Sequence, residues 1–244
     1  MNILSVDWDY FFPDIDGYDW GHHEESALLY ETIWSLRAGN RDMSGKNRAV
    51  DHIRPDKSKL DGFWNRIQTV KMPPMFMAVC ESHKSLYEWI EANRGCIKNV
   101  EITNFDAHHD FGYGHKTELN CGNWAYHAMK KKLIKKYHLV YPEWRKEHPE
   151  AMTNKPTSVH YGSISPVEYY AGIFICRSSC WTPTWADDEW VKFIEHWKKE
   201  DKEMWDRKTY SSYVLNKRSP NLVTAIKLAD EHEKQLAEFR KKVG

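Results

Sequence analysis

Three short stretches concentrate side chains able to do chemistry. Ser5-Val6-Asp7-Trp8-Asp9 closes an apolar run with two carboxylates. Ala78-Val79-Cys80-Glu81-Ser82-His83 closes another with an acid and an imidazole. Asn104-Phe105-Asp106-Ala107-His108-His109-Asp110 closes a third with ligand types at alternate positions. In extended chain, alternate residues point the same way, so Asp106, His108 and Asp110 are expected on one side, and Asp7 with Asp9. Gathered at neighbouring strand ends, these groups would repel and desolvate one another unless cations lay between them. Two divalent metals would remove that cost. A set rich in carboxylate, with few imidazoles and no thiolate, favours Mn²⁺ over Zn²⁺ or Cu²⁺, so the expected cofactor is two Mn²⁺ per chain. Each piece taken singly has a plainer reading. A D-x-D is often a pair of capping or loop acids, His83 starts a helix, and Asp-Ala-His-His-Asp is a solvated loop. The last reading does not explain why all three alternate positions are ligand types.

The elements that must position these groups follow from apolar patterning. Short apolar runs at Asn2 to Val6, Met75 to Cys80, Val100 to Phe105, Val159 to Ser163 and Gly172 to Cys176 read as strands. Helical periodicity marks His22 to Leu36, Leu60 to Ile67, Ser85 to Ala92, Trp124 to Ile134, Asp187 to Trp197 and Asn221 to Lys241. Residues 38 to 58, polar and rich in Asp and Arg, read as a mobile loop. Strands alternating with helices predict an α/β fold with a mostly parallel sheet, whose ligands lie beyond the carboxyl ends of the strands. All three chemical stretches fall there.

Composition narrows the function classes. The chain has 244 residues, which suits a single domain over 1–244. Lys plus Arg and Asp plus Glu are both 35, so no general attraction to nucleic acid or an anionic membrane is expected. No apolar run approaches the roughly 20 residues that span a bilayer. An acid arrives at Asp7, too soon for a secretory signal. Five cysteines without C-x-x-C spacing argue against a disulfide framework or a cysteine zinc cluster, and a reducing cytoplasm is the simplest setting. The 12 Trp are unusual. They point to a core of large rings or to a flat aromatic surface for an extended ligand.

Asp106-Ala107-His108-His109-Asp110 resembles the D-A-H-x-D motif of the ureohydrolases, the arginases and agmatinases. Val6-Asp7-Trp8-Asp9 resembles their D-x-D strand, and Cys80-Glu81-Ser82-His83 the strand that supplies a metal histidine. A closer resemblance is to uncharacterised protein family 0489, which includes the peptide arginases of ribosomal peptide biosynthesis. It is carried by Asp9-Tyr10-Phe11, Val79 to His83, Asn123-Trp124, Ile175 to Ser178 and Trp181-Thr182-Pro183. The matched islands run from residue 3 to about 183; residues 38 to 58 and the terminal helix match nothing. In ureohydrolases the D-x-D strand follows the D-A-H-x-D strand, and here it precedes it. The resemblance therefore implies an arginase-like three-layer α/β/α fold with its strand order rearranged in sequence.

The same resemblance implies roles. Asp7 and Asp106 would bridge two Mn²⁺ ions, His83 and Asp110 would complete one, and Asp9 and His108 the other. Arginine would be hydrolysed to ornithine and urea, with Glu81 orienting His83. His127 or His109 would shuttle a proton, each equally readable as a surface or loop imidazole. Asn123, Trp124 and Trp181 would contact substrate. Asp14, Asp16, Glu24 and Asp187 are all candidates to hold the guanidinium, and Arg177 reads as structural. The aromatics Trp181, Trp185 and Trp190 would suit a groove for an arginine-containing precursor peptide; a homo-oligomer is left open. Two other readings compete. A haloacid-dehalogenase-like phosphatase would use Asp7 and Asp9 with one Mg²⁺, with Asp187-Asp188 a late acidic pair. A Trp-rich peptide-binding domain would need no catalysis.

Overall fold

The computed structural model describes residues 1–17, 30–67, 76–112, 118–164, 169–200, 218 and 222–243. Glu24 and the first part of the helix expected from His22 lie outside the described residues. Six strands form one all-parallel sheet: β1 (Asn2–Asp7), β2 (Phe76–Cys80), β3 (Glu101–Phe105), β4 (Lys136–Tyr141), β5 (Ser158–Tyr161) and β6 (Gly172–Cys176). Their spatial order is β2-β6-β1-β3-β4-β5. The chain leaves β1 for the edge strand β2 and crosses back to β3 on the other side of β1. It steps outward to β4 and β5, then returns through β6, which fills the gap between β2 and β1. Direction reverses around β1, and such a reversal opens a crevice at the carboxyl edge of an α/β sheet.

Alternation along the strands builds two cores. Leu4, Val6, Met77, Val79, Ile173 and Ile175 face α1 (Tyr30–Arg37), α2 (Ala49–His52), α4 (Phe63–Ile67) and α7 (Asp187–Glu200). α3 (Lys57–Asp61) precedes α4, separated from it by Gly62. Ile3, Ile102, Phe174, Tyr137 and Leu139 face α5 (Lys84–Asn93) and α6 (Trp124–Lys130). The result is three-layer α/β/α. α8 (Leu222–Val243) closes the chain, and Arg48 donates to Asp230 on it.

Most described tryptophans are core. Trp8, Trp34, Trp124 and Trp190 are fully buried. The Trp8 ring lies 5.3 to 5.7 Å from the rings of Phe11, Phe12, Trp190 and Phe193. Tilted and edge contacts of this kind contribute about 0.5–1.5 kcal/mol each beyond burial.

Three expectations are corrected. Residues 38 to 58 are not a free loop: Ala38, Ala49, Val50 and Ile53 are buried, Arg41 and Arg48 bridge antiparallel, and α2 lies within the segment. β4 adds a strand that the apolar runs did not mark. The helix from Trp124 ends at Lys130 rather than Ile134, because the chain turns at Lys132 (φ 58) to enter β4.

Candidate metal centre

Register aligns the site. Val6 pairs with Phe105, so Asp106 stands one step past β3, level with Asp7 at the end of β1. Asp7 pairs with Cys176, and Cys176 with Cys80. Cys80, Cys176, Asp7 and Asp106 thus form a row across four neighbouring strand ends. Two residues lower on the same face stand Ser5 and Asn104.

Beyond the row, the chain turns rather than continuing extended. Asp7 caps a 3-10 turn, Trp8–Phe11, its Oδ1 accepting from the Asp9 amide at 3.0 Å. Asp106 does the same for its loop, with Oδ1 accepting from the His108 amide at 2.7 Å. The capping reading of these acids is therefore met through one oxygen of each, and the second oxygen of each faces His83. Asp110 adopts a left-handed conformation (φ 57) that swings its carboxylate back toward Asp106, and Ser178 opposite is also left-handed (φ 54). Non-glycine residues in this region gather at functional sites. The convergence of Asp106, His108 and Asp110 comes from this turn, not from strand alternation.

All six residues expected as metal ligands come together. His83 Nδ1 lies 2.9 Å from Asp7 Oδ2, 3.3 Å from Asp106 Oδ2 and 3.4 Å from Asp110 Oδ2. On the other side, His108 Nδ1 lies 2.8 Å from Asp9 Oδ2 and 3.9 Å from Asp106 Oδ1. Three donor groups have ligand atoms within 4.8 Å of one another: Asp7 with His83 and Cys176; His83 with Asp106 and Asp110; and Asp9 with Asp106 and His108. Asp106 belongs to both halves. Asp7 falls only in the group with His83 and Cys176, whereas the resemblance implied a bridge to both halves.

The donor set fits divalent cations. His83 is 1% exposed, and its Nδ1 makes no hydrogen bond of good geometry despite three carboxylate oxygens around it. A ring nitrogen held among carboxylates suits coordination once a cation displaces its proton. Burial pushes the Asp9 carboxyl up to about 6, helped by Asp7. Burial likewise raises Asp106, with Asp9, and Asp110 strongly, with Asp106. Burial alone would lower the imidazoles, but Asp7 and Asp106 hold His83 well above its ordinary range, and Asp9 does so for His108. Shared carboxylates near two imidazoles are the electrostatics of a site completed by positive charge.

Supporting groups appear that the sequence reading passed over. Ser5 Oγ sits 2.9 Å from His83 Nε2 and fixes the ring. Asn104 Nδ2 donates to Asp106 Oδ2 at 2.8 Å and also to the Tyr137 hydroxyl. Ser178 Oγ donates to Asp7 Oδ2 at 2.9 Å. Asn104 stands two residues before Asp106 on the same face of its strand, and strand pairing brings Ser5 to His83, across β6. Cys176 is likewise revealed by register; burial and the neighbouring Cys80 hold its thiol well above the ordinary range.

Several expected roles change. Glu81 does not touch His83; it accepts from Ser179 and lies 3.3 Å from Arg177 Nε. Trp124 is wholly buried, its Nε1 donating to Asp110 Oδ2 and its ring 5.5 Å from His83, so it supports the cluster from beneath. Asn123 is buried and ties a turn, accepting from the Asn120 amide and donating to the Glu118 carbonyl. His109 is buried away from the cluster: Nδ1 accepts from the Phe111 amide, and Nε2 faces the Ala151 carbonyl at 3.3 Å. His127 lies on α6 with its ring against Tyr126. Trp190 is buried against Trp8 and lines no groove, and Trp185, half-buried, packs on Trp34 and donates to the Ile53 carbonyl. Trp181 remains at the site, its ring 5.2 Å from His108. Among the guanidinium-holding candidates, Asp187 is bound by Arg218 and Arg177, Asp16 accepts from Arg145, and Asp14 lies 3.6 Å from His52. Arg177, also against the Trp190 ring, keeps its structural reading.

No helix among the described residues is long and apolar enough to cross a membrane. No family model, curated protein or solved structure matches this chain.

Proposed function

We propose that this protein is a binuclear metal-dependent hydrolase that cleaves the guanidinium of arginine residues in a peptide, leaving ornithine and releasing urea. The observation that supports it best is Asp106, whose Oδ2 faces His83 and whose Oδ1 lies on the His108 side. Asp7, His83 and Asp110 with Asp106 would hold one cation, and Asp9 and His108 with Asp106 the other. Two Mn²⁺ ions bound there would supply Lewis acidity and a water acidic enough to attack at neutral pH.

The chain's own residues hold this geometry ready. Ser5 keeps the His83 Nδ1 lone pair turned inward, and Trp124 and Asn104 orient Asp110 and Asp106. An excess of carboxylate also attracts a guanidinium cation. Trp181 offers an aromatic face beside His108 for the approaching side chain. The substrate class itself comes from the motif resemblance. A phosphatase built on Asp7 and Asp9 would leave His83, Asp106, His108 and Asp110 without a task.

The test is incubation of the Mn²⁺-loaded protein with arginine-containing peptides, reading ornithine by mass and urea by colour, beside metal analysis. Two Mn per chain with urea release is the expected result. One Mg per chain with phosphatase activity, or no bound metal, would overturn the proposal.

A further inference from the structure

We infer that Cys176 is a metal ligand, and that Asp7, His83 and Cys176 form a position for a thiophilic divalent cation such as Zn²⁺, Co²⁺ or Cd²⁺. This deepens the proposed function and rests on its reading of the cluster as a metal centre. Cys176 ends β6, the strand between β1 and β2, and is level with Asp7. It is fully buried. Its Sγ, a carboxylate oxygen of Asp7 and a ring nitrogen of His83 all lie within 4.8 Å of one another. His83 Nδ1 supplies the independent pointer to a ligand: it is buried, faces Asp7 Oδ2 at 2.9 Å and has no well-formed hydrogen bond.

The two halves of the cluster then differ in softness. Asp9, Asp106 and His108 make a group without sulfur, which suits Mn²⁺. On the His83 side a thiolate joins a carboxylate and an imidazole, and thiolate selects softer ions, so this half, which the proposed function fills with Mn²⁺, would hold a softer ion more tightly where one is supplied. Binding is a proton-for-metal exchange: the Cys176 S–H bond breaks, an S–metal bond forms, and the proton leaves to buffer. No electron is transferred.

Cobalt titration of the full-length, metal-stripped protein tests this, with bound cobalt counted by elemental analysis and thiolate-to-cobalt charge transfer read in the near ultraviolet. The expected result is a charge-transfer band that saturates at one cobalt per chain. It should persist in Cys80→Ser and in Cys96→Ser, whose thiol is exposed, and vanish in Cys176→Ser. Cobalt bound by the wild type without the band would overturn the role of Cys176 and leave the metal centre standing. A band that survives Cys176→Ser would do the same. No cobalt bound at all would overturn the metal centre itself. Should Cys176→Ser fail to fold, X-ray absorption on the zinc-loaded wild type decides alone: a sulfur neighbour at about 2.3 Å is expected, and a shell of only nitrogen and oxygen refutes the inference.

Discussion

Ser5→Ala removes one oxygen two residues before the first acid of the D-x-D, and it should weaken metal binding more than a surface ligand loss would suggest. Ser5 is fully buried, and its Oγ lies 2.9 Å from His83 Nε2. When His83 offers Nδ1 to a cation, its ring proton sits on Nε2, and Ser5 Oγ is the acceptor that holds it there. Alanine leaves that N–H without a partner. Two magnitudes follow. Loss of a partner that orients a metal histidine costs about 10–100-fold in metal affinity, or roughly 1.4–2.8 kcal/mol. In the metal-free protein the orphaned group costs about 1–3 kcal/mol of stability, a Tm drop of about 2–4 °C per kcal/mol in a chain of this size. The weakening should be selective. Asp9 and His108 make no contact with Ser5, so one of two Mn²⁺ binding steps should weaken while the other holds. Competition of Mn²⁺ against a fluorescent chelator resolves the two steps, and scanning calorimetry reads the Tm. Unchanged affinity in both steps would refute the argument that Ser5 fixes the metal-binding face of His83.

Other outcomes follow from the same geometry. Asp106→Asn, at the residue shared by both halves, should lose both cations, and two tightly bound metals with wild-type turnover would sink the assignment. Saturating Mn²⁺ at about 100 times Kd should stabilise the native chain by about 2.7 kcal/mol for each site filled; a Tm that ignores chelator would show that the cluster binds nothing. Trp124→Phe keeps the ring beneath His83 but deletes the donor to Asp110, so metal affinity should fall about tenfold, read by the same chelator competition. Asp187→Asn strips charge from a buried carboxylate between Arg218 and Arg177, which should cost about 3–5 kcal/mol, a Tm drop of roughly 6–20 °C. If its Tm holds while peptide turnover vanishes, Asp187 is a substrate clamp after all.

The strands that carry the site were legible because each is a continuous apolar run ending in ligand types. β4 was not, because Lys136 and His138 interrupt it and its start joins the basic end of α6. The segment 38 to 58 hid its anchors because Ala49, Val50 and Ile53 are few and lie among charges. The six convergent acids and imidazoles could be named from sequence, but the reason they converge could not. That depends on a left-handed Asp110 and on two capping acids, which a period-two pattern does not encode. Asn104 precedes Asp106 on its own strand, but strand pairing and helix packing are needed to bring Ser5 to His83, Ser178 to Asp7 and Trp124 to Asp110. The tryptophans misled in the other direction: composition leaves surface and core open, and packing places Trp8, Trp34, Trp124 and Trp190 inside.

The molecule buries two sets of acids and treats them differently, and the contrast argues for function. Glu81 and Asp187 are met by guanidinium groups: Arg177 reaches both, and Arg218 binds Asp187 through Nε. That is a self-contained structural network, with burial compensated by fixed cations. Asp7, Asp9, Asp106 and Asp110 are met differently. Among the described residues their ion pairs are all with His83 and His108, and their other donors are neutral: the amides of Asp9, Ala107 and His108, and the side chains of Ser178, Asn104 and Trp124. Neutral donors orient a carboxylate without cancelling its charge. Even with both imidazoles protonated, four ionised carboxylates would leave a buried excess of negative charge, which is costly in a low-dielectric interior. A fold able to place arginines beside Glu81 and Asp187 has placed none beside these four among the described residues. An arginine there would fill the space with a permanent charge, whereas carboxylates oriented around the His83 ring nitrogen leave that charge to be supplied by an exchangeable cation.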